Sequence, residues 1–288
     1  MKTFITRTIT ALFFVAIMLG GILWSGLSFF ALFFIINFFA LREYASLVRH
    51  IDPDYTEISP WHRNGVLVAG CALFMSIAGD RFGYDGFSLG EIGWVLTFIF
   101  LLVMPLGEIL MGKNFSLKTI GYSLLGLLYV TVPFGMLVDM SFTHEIVPGF
   151  DQQYVWLYPL TLICAIWIND TMAYIVGSLI GKTPFAPAIS PKKTIEGTVG
   201  GMILAVAAAG VFGHFWGDQW MPLQHWIAFA AIAAIFGTAG DLLESRLKRL
   251  AGVKDSGSIM PGHGGFLDRF DSLLVAAPIA WIYMRLFF

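Results

Sequence analysis

Asp241, Glu244 and Lys248 recur at i, i+3 and i+7, a spacing that sets two carboxylates and an ammonium along one helical stripe. Asp268 and Asp271, three residues apart, share a face if a helix begins there. The loop between these clusters carries Arg246, Arg249, Lys254 and Arg269 with Gly257, Gly262, Gly264 and Gly265. Carboxylates without a nearby His–Cys pattern favour a hard cation such as Mg2+, which takes one or two of them and completes its shell with water and substrate phosphate. The bases can neutralise phosphate oxygens, and the glycines let backbone N–H groups come close. Cation, bases and close backbone describe phosphoryl or nucleotidyl transfer. A plainer reading stands beside it, in which the bases set topology and Asp271 caps the last helix.

The elements that must position these residues are built for lipid. Of 288 residues, 57% are hydrophobic and only 12% charged, where a soluble domain has about 25% charged. A bilayer core needs roughly 20 apolar residues per helix. Nine runs qualify, at about 8–25, 27–41, 65–79, 92–111, 118–139, 154–180, 198–217, 222–240 and 271–288. The expected fold is an all-α polytopic membrane protein of about nine transmembrane helices. Residues 1–150 form an N-terminal multi-span region and 151–288 a C-terminal one carrying the polar motifs, in a single integral unit. Lys2 and Arg7 precede an apolar stretch as in a signal peptide, but no A-x-A-like site follows, so this stretch is read as a retained first span. Cys71 and Cys164 lie in apolar runs and fit neither a disulfide framework nor a metal-ligand spacing. Phe29 to Phe39 is expected to meet lipid.

Charge gives the orientation, because Lys and Arg collect in cytoplasmic loops. With the N-terminus inside and the C-terminus in the periplasm, every Lys and Arg except Arg81 and Arg285 falls on the cytoplasmic side. An ionised Asp at mid-membrane costs about 2.5–3.5 kcal/mol on insertion scales, so Asp170 and Asp241 need partners or a wet cavity. For Asp170 a helix-packing hydrogen bond is the alternative role. Gly177 to Thr183 imitates a phosphate-binding loop but has Val176 where the first glycine is needed, and no strand precedes it. Asn114-Phe115-Ser116 is a formal glycosylation site on the cytoplasmic side, where it is not used. Gly197-x-x-x-Gly201 and Gly213-x-x-x-Gly217 are either close helix-packing positions or the ordinary glycine content of membrane helices.

The stretch S-R-L-K-R-L-A-G-V-K-D-S-G-S-I-M-P-G-H-G-G-F-L-D-R-F-D, Ser245 to Asp271, resembles the signature of the phosphatidate cytidylyltransferase family. The block N-D-T-x-A-Y-x-x-G-x-x-x-G-K with S-P-K-K-T-x-E-G, Asn169 to Gly197, is also similar to that family. The resemblance implies the reaction of CTP with phosphatidate to CDP-diacylglycerol and pyrophosphate, dependent on Mg2+ with a second cation in the centre. It implies that Asp241, Asp268 and Asp271 hold the metal and, with Lys248 and Arg269, carry catalysis. Ser190, Lys192, Lys193, Asn169, Asp170, Arg249, Lys254, His263, Gly264 and Gly265 would engage substrate, His263 either bonding a phosphate or ordering the glycine turn. A bacterial cytoplasmic (inner) membrane location with a cytoplasm-facing site, a homodimer, and no nucleic-acid partner are expected with it. The competing readings are a transporter, whose ion relays also use intramembrane Asp and His, and another CTP-using lipid enzyme such as a polyprenol kinase.

Overall fold

The computed structural model describes residues 2–84, 86–111, 116–142, 154–259 and 264–288. In chain order it forms α1 (Lys2–Trp24), α2 (Gly26–Ile51), α3 (Pro60–Ala78), the hairpin β1 (Gly83–Tyr84) and β2 (Phe87–Ser88), α4 (Leu89–Met111), α5 (Leu117–Gly126) and α6 (Val132–Asp139). There follow α7 (Leu157–Ile180), the hairpin β3 (Pro184–Ala186) and β4 (Ser190–Thr194), α8 (Ile195–Phe212), α9 (Leu223–Leu250) and α10 (Leu267–Phe287). A π-helical turn, Leu127–Thr131, joins α5 to α6, and a second, Gly213–Gly217, prolongs α8. Counted this way, the described residues contain nine helical segments, matching the nine expected spans. Seven are long and apolar enough to cross a membrane, and α1 adds the shorter apolar stretch Thr8–Trp24. The chain is an all-α multi-pass membrane protein.

Several helices outrun their apolar windows. Expected to end at 41, α2 continues to Ile51, and α9 passes 240 to reach Leu250. Their polar extensions still satisfy the backbone by i to i−4 bonding, and Arg49 and His50 on α2, like Lys248 and Arg249 on α9, sit in last turns where cations meet the negative end of the helix dipole.

Two compact units make up the chain. The first comprises Met1–Asp139 and Leu247–Phe270, the second Met140–Arg246 and Asp271–Phe288. In the first, Ser25 and Ser28 start α2 with a reciprocal cap: the Ser25 hydroxyl accepts from the Ser28 N–H at 3.1 Å, and the Ser28 hydroxyl from the Ser25 N–H at 2.9 Å. Phe33, Phe134 and Phe270 meet at centroid separations of 5.6 to 5.7 Å. Each such tilted or edge-on pair contributes about 0.5–1.5 kcal/mol beyond its area. The start of α10 is thereby rooted on α2 and α6. Phe29, Phe30 and Phe33 are buried, which corrects the expectation of lipid contact for that part of the Phe29–Phe39 stretch. Their side of α2 packs on α3 and α6, as the ring pairs with Phe74 and Phe134 show. A buried polar knot fixes α3, α4 and α5: Glu108 accepts from the Ser59 N–H at 3.3 Å and from its hydroxyl, while His62 Nε2 and the Tyr55 hydroxyl meet Ser123 Oγ at 2.8 and 2.9 Å.

In the second unit, α7 and α8 lie against each other through small residues. A methyl group on Gly201 would sit 2.7 Å from the Asn169 carbonyl oxygen and 2.8 Å from Ala173 Cβ, and one on Gly197 would sit 2.7 Å from the Ala173 carbonyl oxygen. Gly213 and Gly217 accommodate the Trp226 ring in the same way. The glycine pairs noted in the sequence are therefore close-packing positions.

Candidate active site

Within the first unit, the described stretches 251–259 and 264–266 are folded onto buried carboxylates. Asp268, in the first turn of α10, accepts the Lys248 ammonium at 2.7 Å through Oδ1. Its Oδ2 accepts the Ser256 N–H at 2.8 Å, the Ser256 hydroxyl at 2.9 Å and the Gly265 N–H at 2.8 Å. Gly264 turns the chain at φ +82°, and a Cβ there would press on Asp268 Oδ2. Its glycine identity thus follows from a left-handed turn wrapped round a carboxylate. A second acid, Glu43 of α2, accepts from Ser256, Phe266 and Leu267. Lys254 and Arg269 point outward, and Arg249, also exposed, reaches the Val253 carbonyl at 3.5 Å. His263 lies outside the described residues.

Within the second unit, the β3–β4 hairpin brings the Lys193 ammonium onto the Asp241 carboxylate of α9, each side chain about a quarter exposed. Ser245, one turn on, donates to Asp241 Oδ1 at 3.3 Å. The hairpin is antiparallel, with Pro184 opposite Thr194 and Ala186 opposite Ser190. It is held at its base by Glu196 in the first turn of α8, whose carboxylate accepts from the Lys182 N–H at 3.1 Å and the Thr183 hydroxyl at 2.7 Å. Thr194 caps α8 by accepting from the Gly197 N–H at 3.2 Å. Lys192, on the same strand, is exposed, and Ser190 half-buried. Asp271 lies in the electrostatic field of Asp241 and Glu244, and its carboxylate accepts from the Ser272 N–H at 2.6 Å. Gly240 lets α9 approach here, since a Cβ on it would sit 3.1 Å from Ser272 Cα. On α7, the buried Asn169 donates through Nδ2 to Asp170 Oδ1 at 3.2 Å, and Asp170 is exposed.

The donor chemistry of Asp241, Glu244 and Asp271 suits a hard cation: all oxygen, all formally anionic, and near enough to repel one another without a positive charge among them. Lys193 supplies part of that charge. Among the described residues, no three His, Cys, Asp or Glu side chains are drawn into a ready ligand set, so water and substrate oxygens would have to complete the shell. Asp268 fits direct ligation less well, with three donors on Oδ2 and an ammonium on Oδ1. Chemically, each cluster sets an ammonium group, which can meet phosphate oxygens, beside carboxylates, which can reach such oxygens only through a cation they hold.

Glu43 and Glu196 were not singled out by sequence reasoning. The signal for Glu196 was present in S-P-K-K-T-x-E-G, where Thr194 and Glu196 open a helix. Glu43 carried only one signal, an acid at the end of an apolar run.

The model of the Cytidylyltransferase family matches residues 5–287. The chain is similar to the phosphatidate cytidylyltransferase of Bacillus subtilis, 35% identical over 224 residues, covering 77% of this chain and 78% of that one. It is also similar to the phosphatidate cytidylyltransferase of Staphylococcus saprophyticus, 32% identical over 273 residues, with 95% and 96% covered. With that of Staphylococcus haemolyticus it shares 47% identity over 122 residues, 42% of this chain and 46% of the other.

Proposed function

Because the chain belongs to the cytidylyltransferase family, we propose that it transfers the cytidylyl group of CTP to phosphatidate, giving CDP-diacylglycerol and pyrophosphate for phospholipid synthesis. The observation that carries this reading is the family match along nearly the whole chain, joined by relatives of that activity at 32–47% identity. In the reaction, a phosphatidate oxygen forms a bond to the α-phosphorus of CTP as the bond to the bridging oxygen breaks, and pyrophosphate leaves with that electron pair. Two polyanions must meet, so the protein's work is to neutralise charge and align the approach.

Lys193 is the first group assigned to substrate phosphate, held at a defined point of the hairpin by Asp241, with Lys192 and Ser190 beside it on β4. Asp241 and Asp271 are the residues to hold Mg2+, which when bound would withdraw charge from phosphate oxygens and stabilise the leaving pyrophosphate. A second cation, expected from the resemblance, falls to the same carboxylates. Lys248, Arg249, Lys254 and Arg269 serve triphosphate or lipid phosphate. Asp268 fixes Lys248 and the glycine turn. We place the protein in the bacterial cytoplasmic (inner) membrane with these groups facing the cytoplasm, supported by the one-sided distribution of Lys and Arg, and as a homodimer, which native mass spectrometry can count.

The test uses the purified protein with Mg2+, phosphatidate, and CTP labelled separately at the α and γ positions. α label is expected in the lipid product and γ label in pyrophosphate; γ label in the lipid would reject cytidylyl transfer in favour of a kinase. Chelation by EDTA should abolish turnover, and activity that survives it would remove the role given to Asp241 and Asp271.

A further inference from the structure

We infer that Glu43 is a positioning residue for this reaction: a buried carboxylate on α2 that holds the distant Ser256–Gly257 turn, Gly265 and the start of α10 in their working places. Glu43 is 7% exposed and lies more than 200 positions from its partners in sequence. Its Oε1 accepts from the Phe266 N–H at 3.1 Å, and its Oε2 from the Leu267 N–H at 2.8 Å and the Ser256 hydroxyl at 3.0 Å. Leu267 is the first residue of α10, so these amides are donors that a helix start leaves without an intrahelical acceptor. An anionic acceptor there also meets the positive end of the helix dipole. α10 is thus capped by a carboxylate from another helix.

Two further observations show that the segment is built round this group. Gly257 and Gly265 both press against the Glu43 carboxylate so closely that any Cβ would collide with it. The Ser256 hydroxyl, which has one proton, stands between Glu43 Oε2 at 3.0 Å and Asp268 Oδ2 at 2.9 Å, linking the remote acid to the one that holds Lys248. The rings of Phe39 and Phe266 stack at 5.3 Å and 14°, adding an apolar clasp from the same helix. A local Ser or Asp could cap α10 as well. What a carboxylate from α2 adds is a fixed place for the Gly264–Gly265 turn and, through Ser256, for Asp268 and its ammonium partner.

The inference rests on the reading that this segment handles substrate phosphates. The test compares full-length wild type, Glu43→Gln and Glu43→Asp in lipid nanodiscs, measuring kcat, KM for CTP, thermal midpoint, and protease cleavage within 251–259. An amide places donors against donors, so kcat of Glu43→Gln should fall on the order of 10- to 100-fold, as for other residues that orient a site from behind it. Its 251–259 stretch should become cleavable while the thermal midpoint holds. Glu43→Asp keeps the charge with less reach and should recover part of kcat. Wild-type kcat with an uncut segment would overturn the inference, as would a lowered thermal midpoint with kcat per folded molecule unchanged. Should Glu43→Gln fail to fold, Gly257→Ala, which drives a methyl group into the intact carboxylate, must show the same loss and cleavage; wild-type behaviour there overturns the inference too. Lys254→Ala and Arg269→Ala separate the two ideas: if both keep full activity, the reading of this stretch as a phosphate site fails, whereas if both lose it beside an active Glu43→Gln, only the positioning role fails.

Discussion

Replacing Asp268 by alanine removes the acceptor for four donors at once: the Lys248 ammonium, the Ser256 amide and hydroxyl, and the Gly265 amide. The ion pair is well shielded, with side-chain exposures of 13% for Lys248 and 4% for Asp268. Removing one partner of such a pair costs about 3–5 kcal/mol, because the other charge is left buried and alone. Each amide stranded without an acceptor adds about 1–3 kcal/mol, but the values do not sum, since a loop can swing outward and hydrate its donors. That escape makes the change local. The free energy that exposes the Ser256 and Gly265 amides should drop by about 3–5 kcal/mol, which accelerates their exchange by roughly two to three and a half orders of magnitude. Hydrogen exchange resolved by mass spectrometry reads this directly, with amides of α7 as the internal control. Protection of Ser256 and Gly265 as in wild type would show that Asp268 does not hold the turn.

Lys193→Ala should lower kcat on the order of 100-fold, as loss of a transition-state charge donor does. Because Lys193 and Asp241 act as a pair, the double variant with Asp241→Asn should lose less than the product of the single losses in steady-state assays. Gly201→Ala should destabilise the protein by roughly 1–3 kcal/mol through overpacking of α7 on α8, seen as a lower thermal midpoint, while Gly121→Ala, where a methyl group meets nothing within 4 Å, should not. Asp52, just past α2, is held below the ordinary aspartate range chiefly by its hydrogen bond to the Lys118 ammonium at 2.6 Å. A carboxyl depressed by folding contributes stability that is complete above its unfolded value of about 3.9 and is lost as pH falls through its lower folded value. The stability gap between wild type and Asp52→Asn should therefore be constant near neutral pH and close in acid; a gap that persists at the lowest accessible pH would contradict it.

The helices were legible because membrane spans announce themselves by length and apolarity, and even α2 and α3, the shortest windows, are continuous helices. The acids of α9 and α10 were legible because charge is costly in such surroundings and its spacing repeats. Helix ends were not: apolarity stops at 41 on α2, while backbone hydrogen bonding runs on to Ile51 and takes Glu43 into a buried position. A residue whose partners lie more than 200 positions away leaves no local pattern. The fate of Phe29, Phe30 and Phe33 was hidden for a related reason, since a phenylalanine facing lipid and one facing a neighbouring helix look alike in sequence. Asp268 and Asp271 were expected to act alike on one face, yet Asp268 engages Lys248 and a glycine turn while Asp271 sits with Asp241 and Glu244. Three residues along a helix are enough to separate two roles.

The proposed reaction is a single direct displacement: a phosphatidate oxygen attacks the α-phosphorus, ammonium groups neutralise phosphate charge, and the carboxylates serve by holding a cation. Its most direct test is the stereochemistry at that phosphorus, using CTP made chiral there by one sulfur substitution and determining the configuration of the thio-CDP-diacylglycerol formed. One in-line step gives inversion, whereas two, through a residue that first takes up the cytidylyl group, give retention. Inversion is the expected outcome; retention would rule out the direct displacement and require a protein nucleophile.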